Sequence, residues 1–349
     1  MSSVSQQSEA RELLTKLVRI PSVTGNEGPC AKQLASYFER HDREVWIDEV
    51  GNVRAPADDG VLLTSHIDTV PGDIPVHIEE NEDGEEELWG RGSVDAKGPL
   101  ASMAVAAVRT GASFIGVVGE EVDSRGSRYV VKDREAEPDV VINGEPSGWN
   151  GITLGYRGLL GGTYVVTSES GHSSRPENNA IQDAMDWWNR VDEEFEHDDW
   201  VEVFERVTCK PIEFEGGVSK DGLSVEATME VQLRVPPKYT ADEVREIADG
   251  QLDVGYVDWN DKVEPVMESP RTGVASAFRA AIRQEGGDPR MLRKTGTSDQ
   301  NVFAEQWDVD TVSYGPGNSD LDHAPNEHLN LNEYDTAIAV LETVTERLL

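Results

Sequence analysis

The feature that most constrains this chain is the alternation of short apolar runs with longer amphipathic stretches. "GVLLTSHI" (residues 60–67), "FIGVVG" (114–119) and "DVVING" (139–144) read as short buried strands. "KGPLASMAVAAVRTG" (97–111) lies between the first two and reads as a helix ended by Gly111. Strands alternating with helices predict an α/β layer around a mainly parallel sheet. "SEARELLTKLVRI" predicts a first helix capped by Ser8, "AKQLASYFERH" a second, and "EENEDGEEE" a solvated hairpin tip.

The pattern changes after "NGEPSGWNG". Residues 155–266 hold alternating strands such as "GGTYVVTSE" and "SVEATMEVQLRV", with helices "NAIQDAMDWWNRVDEEF" and "TADEVREIADGQL" between them. The order strand–helix–strand–strand–helix–strand predicts an inserted α+β, ferredoxin-like layer. The α/β pattern then returns and closes on the helix "YDTAIAVLETVTERLL". The expected organisation is a catalytic domain of residues 1–154 and 267–349 interrupted by an insert of residues 155–266, with no internal repeat.

Composition narrows the environment. The chain of 349 residues carries 67 Asp plus Glu against 31 Lys plus Arg, a formal charge of −36. Such a surface repels nucleic acid and anionic membranes, so neither is an expected partner. At about 1 M salt the Debye length falls to roughly 3 Å and self-repulsion is screened. The expectation is a cytoplasmic protein of a salt-accumulating organism such as a haloarchaeon, the alternative being an acidic mesophilic protein. The N-terminus has no apolar signal core, and no run approaches a membrane span. Cys30 and Cys209 form neither a disulfide framework nor a CxxC metal site. Metal ligands, if present, must be oxygen and imidazole.

Several such groups fall just beyond the apolar strands. His66 and Asp68 stand two apart at the end of "VLLTS", so Asp68 is placed to orient the His66 imidazole. Asp95 lies in "GRGSVDAKG" at a turn before a helix, where a cap is the plain alternative. Glu120 and Glu121 follow "FIGVV", and Glu145 follows "DVVIN". The carboxyl ends of strands in an open α/β sheet are where sites assemble. His323 lies in the loop "GPGNSDLDHAPNEHLN". His66, Asp95, Glu121, Glu145 and His323 are too many for one tetrahedral zinc that keeps a water, and suit two ions if one carboxylate bridges.

"SHIDTVPG", "GRGSVDAKG", "GEE", "NGEPS" and "DHAPNEHL", in order along nearly the whole chain, resemble the motifs of the co-catalytic di-zinc acylase and carboxypeptidase family. That family includes acetylornithine deacetylase and succinyl-diaminopimelate desuccinylase. The resemblance implies His66, Asp95 (bridging), Glu121, Glu145 and His323 as ligands of two zinc ions per subunit, with cobalt able to substitute. It implies Glu120 as general base, Asp68 as the residue orienting His66, and a cis peptide between Asp95 and Ala96. It further implies that the insert is a lid and homodimerisation layer. His172, in "ESGHSSRPENNA", would then stabilise the oxyanion in the partner subunit's site, an ordinary loop histidine being the alternative. Arg157 in "GYRGLL" and Gly296, Thr297 and Ser298 in "KTGTSDQN" match regions that touch substrate in the family.

In detail the resemblance is nearest to lysine- and arginine-biosynthetic hydrolases that release lysine or ornithine from the C-terminal glutamate of an acidic amino-group carrier protein. Deacetylation of N-acetylornithine or N-acetyl-lysine is the runner-up, and a carboxypeptidase or aminopeptidase a further one. Recognition of an acidic carrier would require a local basic patch, for which Arg157, Arg175 and Arg271 are candidates. A metal-free scaffold needs neither a complete ligand set nor Glu120.

Overall fold

The computed structural model describes residues 3–172, 174 and 176–349; Arg175 lies outside them. Two compact units emerge. The first comprises Met1–Gly155, Glu268–Leu292 and Ser298–Leu349, the second Tyr156–Met267 and Arg293–Thr297.

The first unit begins with α1 (Ser3–Val18), α2 (Gly28–Arg40), β1 (Trp46–Ile47), β2 (Val53–Ala55), β3 (Asp58–His66), β4 (His77–Glu80) and β5 (Glu86–Trp89). It continues through α3 (Lys97–Thr110), β6 (Ala112–Val117), α4 (Arg125–Asp133), β7 (Val140–Gly144) and β8 (Gly151–Tyr156). The second unit holds β9 (Gly158–Glu169), α5 (Ala180–Glu194), β10 (Thr208–Val218), β11 (Ser224–Val235), α6 (Ala241–Asp249), β12 (Tyr256–Val263) and β13 (Val266–Met267). The chain then runs through α7 (Gly273–Gln284), β14 (Arg290–Lys294), α8 (Asp299–Gln306), β15 (Asp310–Tyr314), β16 (His328–Asn330) and α9 (Leu331–Leu348).

Within the first unit the main sheet runs β1-β2-β6-β3-β7-β15-β8, with β14 also paired to β8. It is mixed, with the expected parallel pairing confined to its centre. The central β6, β3, β7 and β15 pair in parallel, whereas β1, β2 and β8 join antiparallel. The central strands are buried on both faces, which explains their unbroken apolar runs. Neighbouring residues point to opposite faces: Leu63 belongs to the core shared with α1, α2, α3, α7 and α9, while Leu62 belongs to the separate core that holds Val130 of α4 and Phe303 of α8. Helix α3 lies deepest and ends at Gly111, whose φ of +85° is the left-handed conformation glycine accepts freely. Ser8 does not start α1, which spans Ser3–Val18 and places Ser8 inside the helix; Gln6 and Gln7 just ahead of it lose little rotamer freedom in a helix and so do not end one. A small sheet, β16-β5-β4, pairs His328 with Trp89 and Leu329 with Leu88.

In the second unit the strand order is β10-β11-β9-β12, all neighbours antiparallel. Strand β11 alternates buried and exposed residues, and its inner face packs on α5 and α6. Tyr164 and Trp187 stack at the centre of that core, ring centroids 4.6 Å apart. Helix α5 starts in a full capping box on Asn179, and α6 in one on Thr240. Arg293–Thr297 belongs to this unit because Arg157 Nε donates to the Thr295 carbonyl at 2.9 Å and Arg293 pairs with Glu202 and Glu205. Each unit holds one free cysteine, Cys30 buried in the first and Cys209 partly buried in the second.

Candidate metal centre

Strand register sets the site. His66 at the end of β3 pairs with Val117 at the end of β6, Ser65 with Gly144 of β7, and Gly144 with Tyr314 of β15. Four parallel strands therefore finish on one edge, and the residues that follow them share a small space. After β6 the chain turns through Gly119 at φ +79°, where a Cβ would run into the Arg125 guanidinium. That turn presents Glu120 and Glu121. The β5–β16 pairing brings residues 90–95 beside residues 323–327, so Asp95 meets His323 although they are far apart in sequence.

The result is two groups with one member in common. His66, Asp95 and Glu145 form the first, and Asp95, Glu121 and His323 the second; within each, the candidate ligand atoms lie within 4.8 Å of one another. His66 Nε2 is 3.1 Å from Asp95 Oδ1, and His323 Nε2 is 3.1 Å from Asp95 Oδ2 and 3.0 Å from Glu121 Oε2. The Asp95–Ala96 peptide bond is cis. Glu145 follows β7, with Asn143 Nδ2 3.4 Å from its Oε1.

Electrostatics follow from this crowding. Contact with Asp95 and Glu121 pushes the His323 imidazole up to about 10. Burial disfavours charge on His66, but Asp68 and Asp95 outweigh it and raise its pKa. Burial likewise opposes ionisation of Asp95, yet the two imidazoles hold it below the ordinary carboxylate range. Burial raises Glu120, and Glu145, Asp299 and Glu121 add to that against the opposing effect of His66.

This donor set fits a pair of divalent cations. Asp95, Glu121 and Glu145 crowd like charges together, and Glu121 Oε1 is buried with no hydrogen-bond partner among the described residues. A buried, unpaired carboxylate oxygen is costly unless a cation answers it. Oxygen and imidazole ligands suit borderline-hard divalent ions.

Asp68 differs from the expectation in detail. The His66 Nδ1 contact is with the Asp68 backbone carbonyl, at 3.0 Å, while the carboxylate stands 3.7 Å away. The carboxylate is engaged elsewhere: it accepts from the backbone N–H groups of Gly119, Glu120 and Glu121, and from Thr24 Oγ1. One residue thus orients His66 and anchors the turn that carries both glutamates.

The remaining candidates sit as follows. Arg157 is buried in the second unit, and its guanidinium also donates to the Val203 and Arg206 carbonyls and to Thr208 Oγ1. Burial and the nearby Arg234 lower its pKa to about 10. Thr297 Oγ1 lies 3.5 Å from Arg234 Nη1, and Gly296 precedes it in the same segment. Ser298 caps α8, accepting from Gln300 N. His172 is exposed in the second unit, with Nδ1 2.8 Å from Ser174 Oγ. Arg271 is exposed in the first.

Two buried carboxylates escaped the sequence reading. Asp299 accepts from Ser127 Oγ at 2.5 Å, and its other oxygen is buried without a hydrogen-bond partner among the described residues. Glu327 binds the backbone beside Asp95. The only sequence signal for either is position inside "KTGTSDQN" and "DHAPNEHL".

The chain is similar to known proteins over nearly its whole length. Residues 62–347 match the model of peptidase family M20/M25/M40. The [LysW]-lysine hydrolase of Deinococcus radiodurans is 39% identical, over 97% of this chain and 97% of its own. The [LysW]-lysine/[LysW]-ornithine hydrolase of Sulfurisphaera tokodaii is 28% identical, over 97% and 95%. Among solved structures, the M20 family metallo-carboxypeptidase Sso-CP2 from Sulfolobus solfataricus aligns with a TM-score of 0.77 at 18% identity, over 97% of this chain and 99% of that one. A Bacillus subtilis protein described as a dinuclear metal binding peptidase from the M20 family aligns at 0.68 with 14% identity, over 99% of both chains.

Proposed function

The chain belongs to peptidase family M20/M25/M40, hydrolases of amide bonds, and from that premise we propose that it releases lysine or ornithine from the C-terminal glutamate of an acidic amino-group carrier protein. The observation that carries the reading is the pair of three-residue groups sharing Asp95, with Glu120 on the adjoining turn. Relatives named for [LysW]-linked lysine and ornithine, aligned over nearly their full length, support the substrate class.

His66, Asp95 and Glu145 would hold one ion and Asp95, Glu121 and His323 the other, zinc being the proposed metal and cobalt a substitute. When bound, such ions polarise a carbonyl and acidify a water. Glu120 takes the proton of the attacking water and delivers it to the leaving nitrogen. The second unit serves as a ferredoxin-like lid and dimerisation layer, a reading supported by its strand order and by the exposed apolar residues Ile212, Phe214 and Val218 on edge strand β10. His172 of one subunit would stabilise the oxyanion at the partner subunit's site, with Arg157, Gly296, Thr297 and Ser298 as substrate-side residues. The setting is the cytoplasm of a salt-accumulating cell; among the described residues no helix is long and apolar enough to cross a membrane.

The test is a side-by-side turnover assay on the carrier conjugates of lysine and ornithine and on N-acetylornithine and N-acetyl-lysine. Rapid release from a conjugate, with slow or no deacetylation, is expected. Efficient acetate release with the conjugates untouched replaces this substrate with the acetylated amino acids.

A further inference from the structure

The loop after β5 and the loop before β16 must hold Asp95 and His323 at a fixed spacing, yet both residues stand in turns, outside any helix or strand. One carboxylate joins them. Glu327 is fully buried. Its Oε1 accepts from Val94 N at 2.9 Å and from Asp95 N at 3.0 Å. Its Oε2 accepts from Gly92 N at 3.0 Å and from Arg91 Nη1 at 2.7 Å. The Glu327 backbone carbonyl accepts from Gly90 N at 3.3 Å. Arg91 reaches across in turn, with Nη2 3.4 Å from the His323 carbonyl oxygen. Both ends of the Asp95–Glu121–His323 group are thereby fastened to one side chain: Asp95 through its own N–H, and His323 four residues upstream through Arg91.

We infer that Glu327, assisted by Arg91, is a positioning residue that sets the spacing between the shared carboxylate Asp95 and the outer ligand His323, and so the affinity of the ion held by Asp95, Glu121 and His323. It touches no substrate. The inference rests on the metal-centre reading above. Its chemistry is specific to a carboxylate: three backbone N–H groups and a guanidinium all donate to it, and a Gln at this place would turn an NH₂ toward another donor and lose the charge that faces Arg91. Outer groups that orient metal ligands typically change metal affinity or activity by about 10–100-fold when removed.

The test compares the full-length parent with Glu327→Gln and with Arg91→Gln, which leaves the three backbone bonds in place. Each protein is freed of metal, checked for folding by thermal melting, and titrated with Co²⁺ against a chelating indicator while the visible spectrum of the bound cobalt is recorded. The parent should take up two equivalents. Glu327→Gln should weaken one of them by about 10–100-fold and alter the cobalt spectrum, with a smaller change of the same kind in Arg91→Gln. In a His323→Ala background, Glu327→Gln should add much less, because the ligand it positions is gone. Two unchanged binding steps and an unchanged spectrum in the folded variants overturn the inference and leave the metal centre standing. A parent that takes up fewer than two equivalents overturns the metal-centre reading and the inference with it. If Glu327→Gln does not fold without metal, Arg91→Gln decides on the same criteria.

Discussion

Asp68 shows how one residue serves two parts of a site. Its backbone carbonyl faces His66 and its carboxylate gathers three consecutive N–H groups from Gly119 to Glu121. Asp68→Ala should therefore reduce metal affinity or turnover by about 10–100-fold, and isothermal metal titration beside a rate assay reads both. Glu120→Gln should separate the two quantities. Metal content stays at the parent value while turnover falls by about 10²–10⁴-fold, as loss of a general base does; near-parental activity in the metal-loaded variant would remove Glu120 from that role. At this scale the sequence was informative where function is local. His66, Asp68, Glu120 and Glu121 stand beside recognisable strand ends. Asp299 and Glu327 were not legible, because their partners Ser127 and Asp95 lie 172 and 232 residues away.

Local signals made several elements readable, although the cap expected at Ser8 lies inside α1. Helices α5 and α6 begin where their capping residues stand, and α3 stops at Gly111. The antiparallel margins of the main sheet were not readable, since apolar periodicity marks a strand without giving its partner's direction. The adherence of residues 293–297 to the second unit also depends on contacts made by Arg157 and Arg293, invisible along the chain. The α5 cap offers a prediction confined to the element. Asn179 accepts from Ile181 N and Gln182 N, so Asn179→Ala should lower stability by about 1 kcal/mol while Asn179→Asp largely preserves it. Chemical denaturation followed by far-ultraviolet dichroism measures both.

The whole molecule is governed by its charge of −36. Between about 0.1 M and 1 M salt the Debye length shrinks from roughly 10 Å to 3 Å, so the melting temperature should climb steeply with KCl over that interval. A flat response would assign the acidity to solubility alone. Assembly gives a second prediction at this scale. If His172 completes the partner subunit's site, a mixture of inactive His172→Ala and Glu120→Gln subunits should regain activity after exchange; no recovery in verified heterodimers counts against action across subunits.

The two cysteines, one in each unit, make the protein its own reporter of breathing. Cys30 is fully enclosed, and burial pushes its thiol up despite Lys97 and Ser22 nearby; burial and then Asp192 raise the Cys209 thiol to about 12. Cys30 is sealed from solvent, so the rate at which it is alkylated tracks the opening of its surroundings, whereas the partly exposed Cys209 is slowed mainly by the scarcity of its thiolate. All the candidate metal ligands lie in the unit of Cys30. An ion that binds only the closed form lengthens the lifetime of Cys30 toward alkylation by mass action, and where the units open separately it leaves Cys209 on its original clock. Equal protection of both sulfurs would mean that the chain opens as one.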